Sequence, residues 1–158
     1  MANEFVGKKL GEVAAFANVG KELFERGRAA LNGVFTEKGV NTILHDISIH
    51  ALELNKLAAE LGTSDVTSAK CEKTSAKLRQ MMEMYVGEEW DNPAELLEWL
   101  GFFEGATLIH WELVAGTGEA LANMDTQELA GMAITFHQKL LTDVGTRIHE
   151  VGAKKALT

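Results

Sequence analysis

Five side chains in this sequence have the chemistry of a metal site or an acid-base pair: His50, Glu53, Glu104, His110 and His137. Imidazoles and carboxylates together suit Zn, Fe, Mn or Cu, and a carboxylate can also orient an imidazole from behind. His110 stands out. Stepping about 100° per residue from Phe103, the residues Leu96, Trp99, Leu100, Thr107, His110, Val114 and Leu121 fall within about 60° of one line. An imidazole in the middle of such an apolar face is expected to be buried and to have a polar partner, because an unpaired buried polar group costs roughly 1–3 kcal/mol. His50 lies on the edge of a second apolar face, with Asp46 four residues before it and Glu53 three after, a ladder expected along the side of a bundle. His137 lies on the flank of a third face. His45 and His149 point away from these faces and are expected in solvent.

The elements that must position these groups read as helices. Ala, Leu, Glu and Lys are abundant, there is one proline, and no run of alternating β-branched residues looks like a strand. Asn92, Pro93 and Glu95 form an N-cap, a first helical residue and a capping-box partner, so a long helix starts at Pro93 and runs to about Asn123. Before it, a first helix is expected over about Glu4 to Leu31, ended by Asn32-Gly33, with Ala17, Gly20 and Gly27 allowing close approach of a neighbour. A second spans about Val40 to Leu61. A third, about Val66 to Val86, shows a narrow inner stripe of Cys71, Leu78, Met82 and Tyr85 and reads as a shorter helix covering the bundle. The last runs from about Thr126 to Ala153, capped by Asp125 with Glu128. No segment is polar or Pro-rich enough to be a linker, so these five helices are expected to form one domain over residues 1–158.

Composition excludes several classes of function. The formal charge is −8 and the basic residues are scattered, so no surface suited to nucleic acid or to an anionic membrane is expected. No run of about 18 apolar residues occurs, and the N-terminal stretch lacks the apolar core of a signal peptide. A cytoplasmic location is expected. Cys71 has no second thiol to pair with, and no Ser, Thr or Cys sits in a recognisable nucleophile motif.

Residues 87 apart pair across the two halves: Leu10 with Leu97, Phe16 with Phe103, Glu25 with Glu112, Ile47 with Ile134, His50 with His137 and Leu54 with Leu141. Two hairpins joined by a crossover helix follow from such a duplication, and this resembles the ferritin-like superfamily in helix order and length. The resemblance implies a four-helix bundle of hairpin-crossover-hairpin topology enclosing a carboxylate and histidine metal site. The ligand pattern departs from that family, because there is no Glu-x-x-His and His50 with Glu53 has the spacing reversed. Counted from turns near Phe35 and Met124, however, His50, His110 and His137 each lie roughly 20 Å from a bundle end, so one mid-plane could bring them to one ion. A metal held by His50, Glu53, Glu104, His110 and His137, with Fe, Mn or Zn as cofactor, would serve an oxidoreductase or metal-handling role. The alternative is a non-catalytic binding or assembly module whose core histidines bond to a carbonyl, a Thr or a Glu. In that case the exposed Trp and Met residues and the small-residue face of the first helix serve a homo-oligomer or an apolar ligand.

Overall fold

The chain is all-α. The computed structural model describes residues 2–158, and among them it contains six helices and no strand. These are α1 (Ala2–Arg26), α2 (Arg28–Phe35), α3 (Glu37–Glu60), α4 (Ser64–Val86), α5 (Pro93–Ala120) and α6 (Met124–Ala156). Asn92 and Asn123 start the last two helices, their side chains accepting from the amides of Ala94 and Thr126. The cap of α6 is therefore Asn123 rather than Asp125, which sits in the first turn where its charge suits the helix dipole.

The expected first helix divides at Gly27. The chain keeps a helical path there, since Gly27 N donates to Leu23 O and Gly27 O accepts from Leu31 N. A Cβ at position 27 would lie 2.9 Å from Leu96 Cδ1, so the missing side chain lets α5 come against the kink. Beyond it α2 continues through Asn32-Gly33, because Leu31 is buried and Val34 and Phe35 pack against the core. The helix ends at Thr36, with φ 68°, whose hydroxyl accepts from Gly39 N to cap α3.

Helix α1 is enclosed on two sides. Toward α3 and α5, Gly20 faces Ile47 and the Phe103 ring. Toward α4 the approach is closer still: a Cβ at Gly11 would lie 2.5 Å from Thr67 O, and the buried Thr67 hydroxyl donates to Gly7 O at 3.0 Å. Glu22 pairs with Arg79 and Arg26 with Glu83, each 57 residues on, so α1 and α4 run parallel in constant register. This contact corrects the reading of the third predicted helix. With 23 residues α4 is only one shorter than α3. Its buried face is Thr67, Ser75, Leu78, Met82 and Val86, whereas Tyr85 is exposed and Cys71 half-buried. The α1 glycines choose the hidden side at the start of α4, and the apolar Leu78, Met82 and Val86 continue it to the end.

The other four long helices have antiparallel neighbours. Gly27, Gly20 and Glu12 of α1 meet Leu96, Phe103 and His110 of α5 in turn. In the same way Glu104 and Gly118 of α5 meet His137 and Thr126 of α6, and His50 of α3 meets Phe136. A ring α1–α3–α6–α5 results, with α4 outside it on α1. The core falls into two apolar clusters, one including Ile47, Phe103 and Leu140 and the other Leu54, Trp111 and Ala133. Between those residues along the same three helices lie the buried polar side chains His50, Glu104, Thr107 and His137. A polar layer thus crosses the ring at mid-height. No helix among the described residues is long and apolar enough to cross a membrane.

Gly11→Ala should destabilise by about 1–3 kcal/mol, because α1 and α4 must part to admit the methyl group. Gly145→Ala, where a Cβ meets nothing within 4 Å, should stabilise by about 0.5–1 kcal/mol. Urea unfolding of the two variants measures both; a neutral Gly11→Ala would contradict the close α1–α4 contact.

Candidate functional site

The polar layer is built from seam positions of three helices. On α3, His50 belongs to the run Ile47, His50, Leu54, Leu57, whose i, i+3, i+4 spacing faces the core. On α5, the buried residues Leu97, Glu104, Trp111 and Gly118 repeat every seven residues, and Glu104 and Gly118 meet α6. His137 lies four residues after Ala133 and three before Leu140 on the buried face of α6. His50, Glu104 and His137 are 4%, 1% and 5% exposed. Such burial makes any polar atom left without a partner costly.

Glu104 Oε2 lies 2.5 Å from His137 Nδ1. With the carboxylate accepting, the Nδ1 hydrogen is committed to Glu104, and the tautomer and ring orientation of His137 are set by that bond. The His50 ring centroid lies 6.1 Å from that of His137, with the Phe136 ring edge-on at 5.3 Å and Trp111 at 6.4 Å. His50 Nδ1 is buried and has no hydrogen-bond partner in the protein. The His50 pKa is lowered to about 4, by desolvation first and by the nearby His137 second, with Asp46 one turn away opposing the shift. The layer therefore holds an oriented imidazole beside a neutral one with an unused nitrogen.

Of the five candidate ligands, three are together and two are elsewhere. His110 is not buried: a third of its side chain, 34%, is exposed. Its Nδ1–H donates to Ala106 O at 2.7 Å, its ring stacks on Phe16 at 4.6 Å, and its Nε2 lies 3.9 Å from Glu12 Oε2. It has a polar partner, as expected, but on the α1 side of α5. The residue of α5 beside His50 is Trp111, the next in sequence. The expected height is thus right and the azimuth wrong. Residues buried on α5 span roughly −40° to 120° about the Phe103 direction at 100° per residue, because α6 covers one side and α1 the other. That arc takes in Glu104 and leaves His110 near its edge. Glu53 is half-buried and pairs with Lys56 at 2.8 Å, facing a surface cleft between α3 and α6. The side ladder of Asp46, His50 and Glu53 accordingly separates, with His50 turned inward. Among the described residues no three His, Cys, Asp or Glu side chains converge as a ready-made metal cage.

No protein-family model, curated protein or solved structure matches this chain.

The depressed His50 pKa has a definite sign in stability. Between about pH 6.5 and 4 the unfolded chain takes up a proton at this residue that the folded chain refuses, so stability falls as pH falls through that window. From pH 7 to 4.5 the loss from this residue should be about 2–3 kcal/mol. Urea unfolding of His50→Leu should show a pH dependence shallower by that amount; a slope equal to the parent's would remove this role for His50.

Proposed function

We propose that the chain is a bundle of the ferritin-like kind, with α1/α3 and α5/α6 as its hairpins and α4 as the crossover, and that it handles a transition-metal ion at mid-bundle through His50 and His137. The observation that carries this reading is the unpartnered, buried Nδ1 of His50 beside an imidazole already oriented by a carboxylate. Metal-binding histidines commonly donate their other N–H to a carboxylate, which is the part Glu104 plays toward His137. Two imidazoles on one ion, with N–metal distances of about 2.0–2.1 Å, hold their ring centroids no more than roughly 6.5 Å apart. The 6.1 Å separation of His50 and His137 is within that reach. Glu104 acts as the orienting group, and the remaining coordination positions would go to water or to the ion's next ligand. Imidazole donors favour Zn, Fe or Cu over Mg or Ca. An incompletely wrapped ion suits transfer or storage better than a permanent structural site.

A second reading, an assembly module, is favoured by the outer face of α5. This helix is apolar on nearly every side, yet Phe102 and Ile109 are 68% and 69% exposed and Leu113 is exposed beside them. With Ala106 they form a stripe spaced four, three and four residues apart. Because that spacing reads the same in both directions, a second copy running antiparallel would set Phe102 against Leu113 and Ala106 against Ile109 about a two-fold axis. The two readings are compatible.

Mass spectrometric metal analysis after loading with Zn(II) or Fe(II) and desalting should find one ion per chain, lost in His50→Ala and in His137→Ala but kept in His110→Ala. Retention in all three variants would exclude the mid-bundle site. Light scattering coupled to size-exclusion chromatography should give a dimer that becomes monomeric in Ile109→Glu; a parent protein monomeric at high micromolar concentration would exclude the α5 interface.

A further inference from the structure

A surface cleft of about 460 Å³ lies between the C-terminal half of α3 and the N-terminal half of α6. Its floor is apolar, with Leu57 and Leu129 buried beneath it and Met132 exposed. Both walls are acidic. Glu60 stands on α3, and Asp125 and Glu128 stand on α6; none has a cation within 4 Å among the described residues. The lining cation, Lys56, is turned to Glu53 at 2.8 Å. Asp125 is suited by the dipole of α6, but Glu60 is the last residue of α3, where the dipole disfavours a negative charge. The opposite end of the molecule carries the complement. α5 begins at Pro93, eleven residues before Glu104, so its start is level with Ile148, eleven residues after His137. Ile148 and Val151 still pack on the core, whereas residues 152–158 are all exposed and a Cβ at Gly152 would meet nothing within 4 Å. In this overhang Ala153, Ala156 and Leu157 share one face by their i, i+3, i+4 spacing. Lys154 and Lys155 lie to either side of that face, and neither has a carboxylate within 4 Å among the described residues.

We infer that the acidic cleft receives the overhanging end of α6 from a second copy of this chain. The small apolar face of Ala153, Ala156 and Leu157 sits on Leu57, Leu129 and Met132, and the two lysines reach the two walls, one toward Glu60 and one toward Asp125 and Glu128. The overhang cannot reach the cleft of its own chain, because the 33 residues of α6 hold the two roughly 50 Å apart. The contact is therefore head-to-tail and leaves a free cleft at one end and a free overhang at the other, so it propagates into a chain or closes into a ring. It uses neither face of the two-fold α5 contact and is independent of the metal reading. Two copies of net charge −8 repel, but at physiological salt screening confines that repulsion to about 8 Å, and the surfaces that meet have opposite signs. Exposed ion pairs contribute little each, and two turns of helix bury far less than the roughly 1,200 Å² of a stable interface, so the association is weak and reversible.

Sedimentation velocity of the full chain in EDTA tests this, with every protein carrying Ile109→Glu so that the α5 contact is absent. The average sedimentation coefficient should rise from low to high micromolar concentration. Reversal of the overhang by Lys154→Glu, Lys155→Glu, or of the cleft by Glu60→Lys, Glu128→Lys, should weaken association about tenfold or more. All four residues are exposed, so far-ultraviolet circular dichroism should stay unchanged; Glu60→Lys alone serves if the double cleft variant fails to fold. An equimolar mixture of the two reversed proteins should associate again, because the acidic overhang of the first fits the basic cleft of the second, and the lysines of the second fit the unaltered cleft of the first. A protein that stays monomeric at every concentration, undiminished association of either folded variant, or a mixture no more associated than its components would overturn the proposal. So would a monomeric protein in which tetralysine shifts the amide resonances of Glu60 and Glu128, since the cleft would then belong to a different basic partner.

Discussion

The hydrogen bond between Glu104 and His137 is the constraint on which the middle of this bundle depends. A carboxylate that is 1% exposed has lost its water, and His137 is its one hydrogen-bond partner among the described residues. Removing the partner of such a buried charge typically costs 3–5 kcal/mol, far more than the pair itself contributes over an apolar replacement. The bond therefore fixes how α5 and α6 are rotated against each other. Once Glu104 is turned to His137, Trp111 must turn toward His50 and Phe102 and Ile109 must turn outward, since all are rigidly placed on one helix. Hydrophobic burial alone selects no single rotation, because α5 is apolar on nearly every side. An exposed Phe102 beside a buried Glu104 shows that the polar layer and not hydrophobic burial alone sets the orientation of α5.

Around that layer the packing is arranged asymmetrically. On the α1 side, glycines bring backbones together: Gly7 and Gly11 against α4, Gly20 and Gly27 against α5. On the α6 side Gly118 of α5 comes close to Thr126 and Gln127, but the α3/α6 boundary is open enough to form clefts at two heights. A buried imidazole at the open boundary and a tight glycine contact on the far side give the bundle one rigid edge and one accessible edge. Phe136, whose ring lies 5.3 Å from that of His50, also lines one of these clefts.

Much of this was legible in the sequence. Helix-start signals at Asn92 and Pro93 placed α5 correctly to the residue, and the mid-height of His50 and His137 followed from counting along helices. What failed was azimuth. The apolar residues of α5 gave a line through Phe103 and His110, but a helix held between two neighbours buries a wider arc whose centre depends on both. The heptad of Leu97, Glu104, Trp111 and Gly118 was the signal for the second neighbour, and it singled out Glu104 rather than His110. The division at Gly27 and the parallel contact of α1 with α4 were not legible in the same way. Both arise where a missing Cβ admits a partner distant in sequence, Leu96 in one case and Thr67 in the other, and local helix propensity carries no record of the partner.

Extended X-ray absorption fine structure on the Zn(II)-loaded protein bears most directly on the proposed role of the layer. Two imidazole nitrogens at about 2.0–2.1 Å, with the outer-shell scattering of intact rings and lighter oxygen ligands completing the shell, are the expected result. A first shell of oxygen alone, or a single imidazole, would contradict a site shared by His50 and His137.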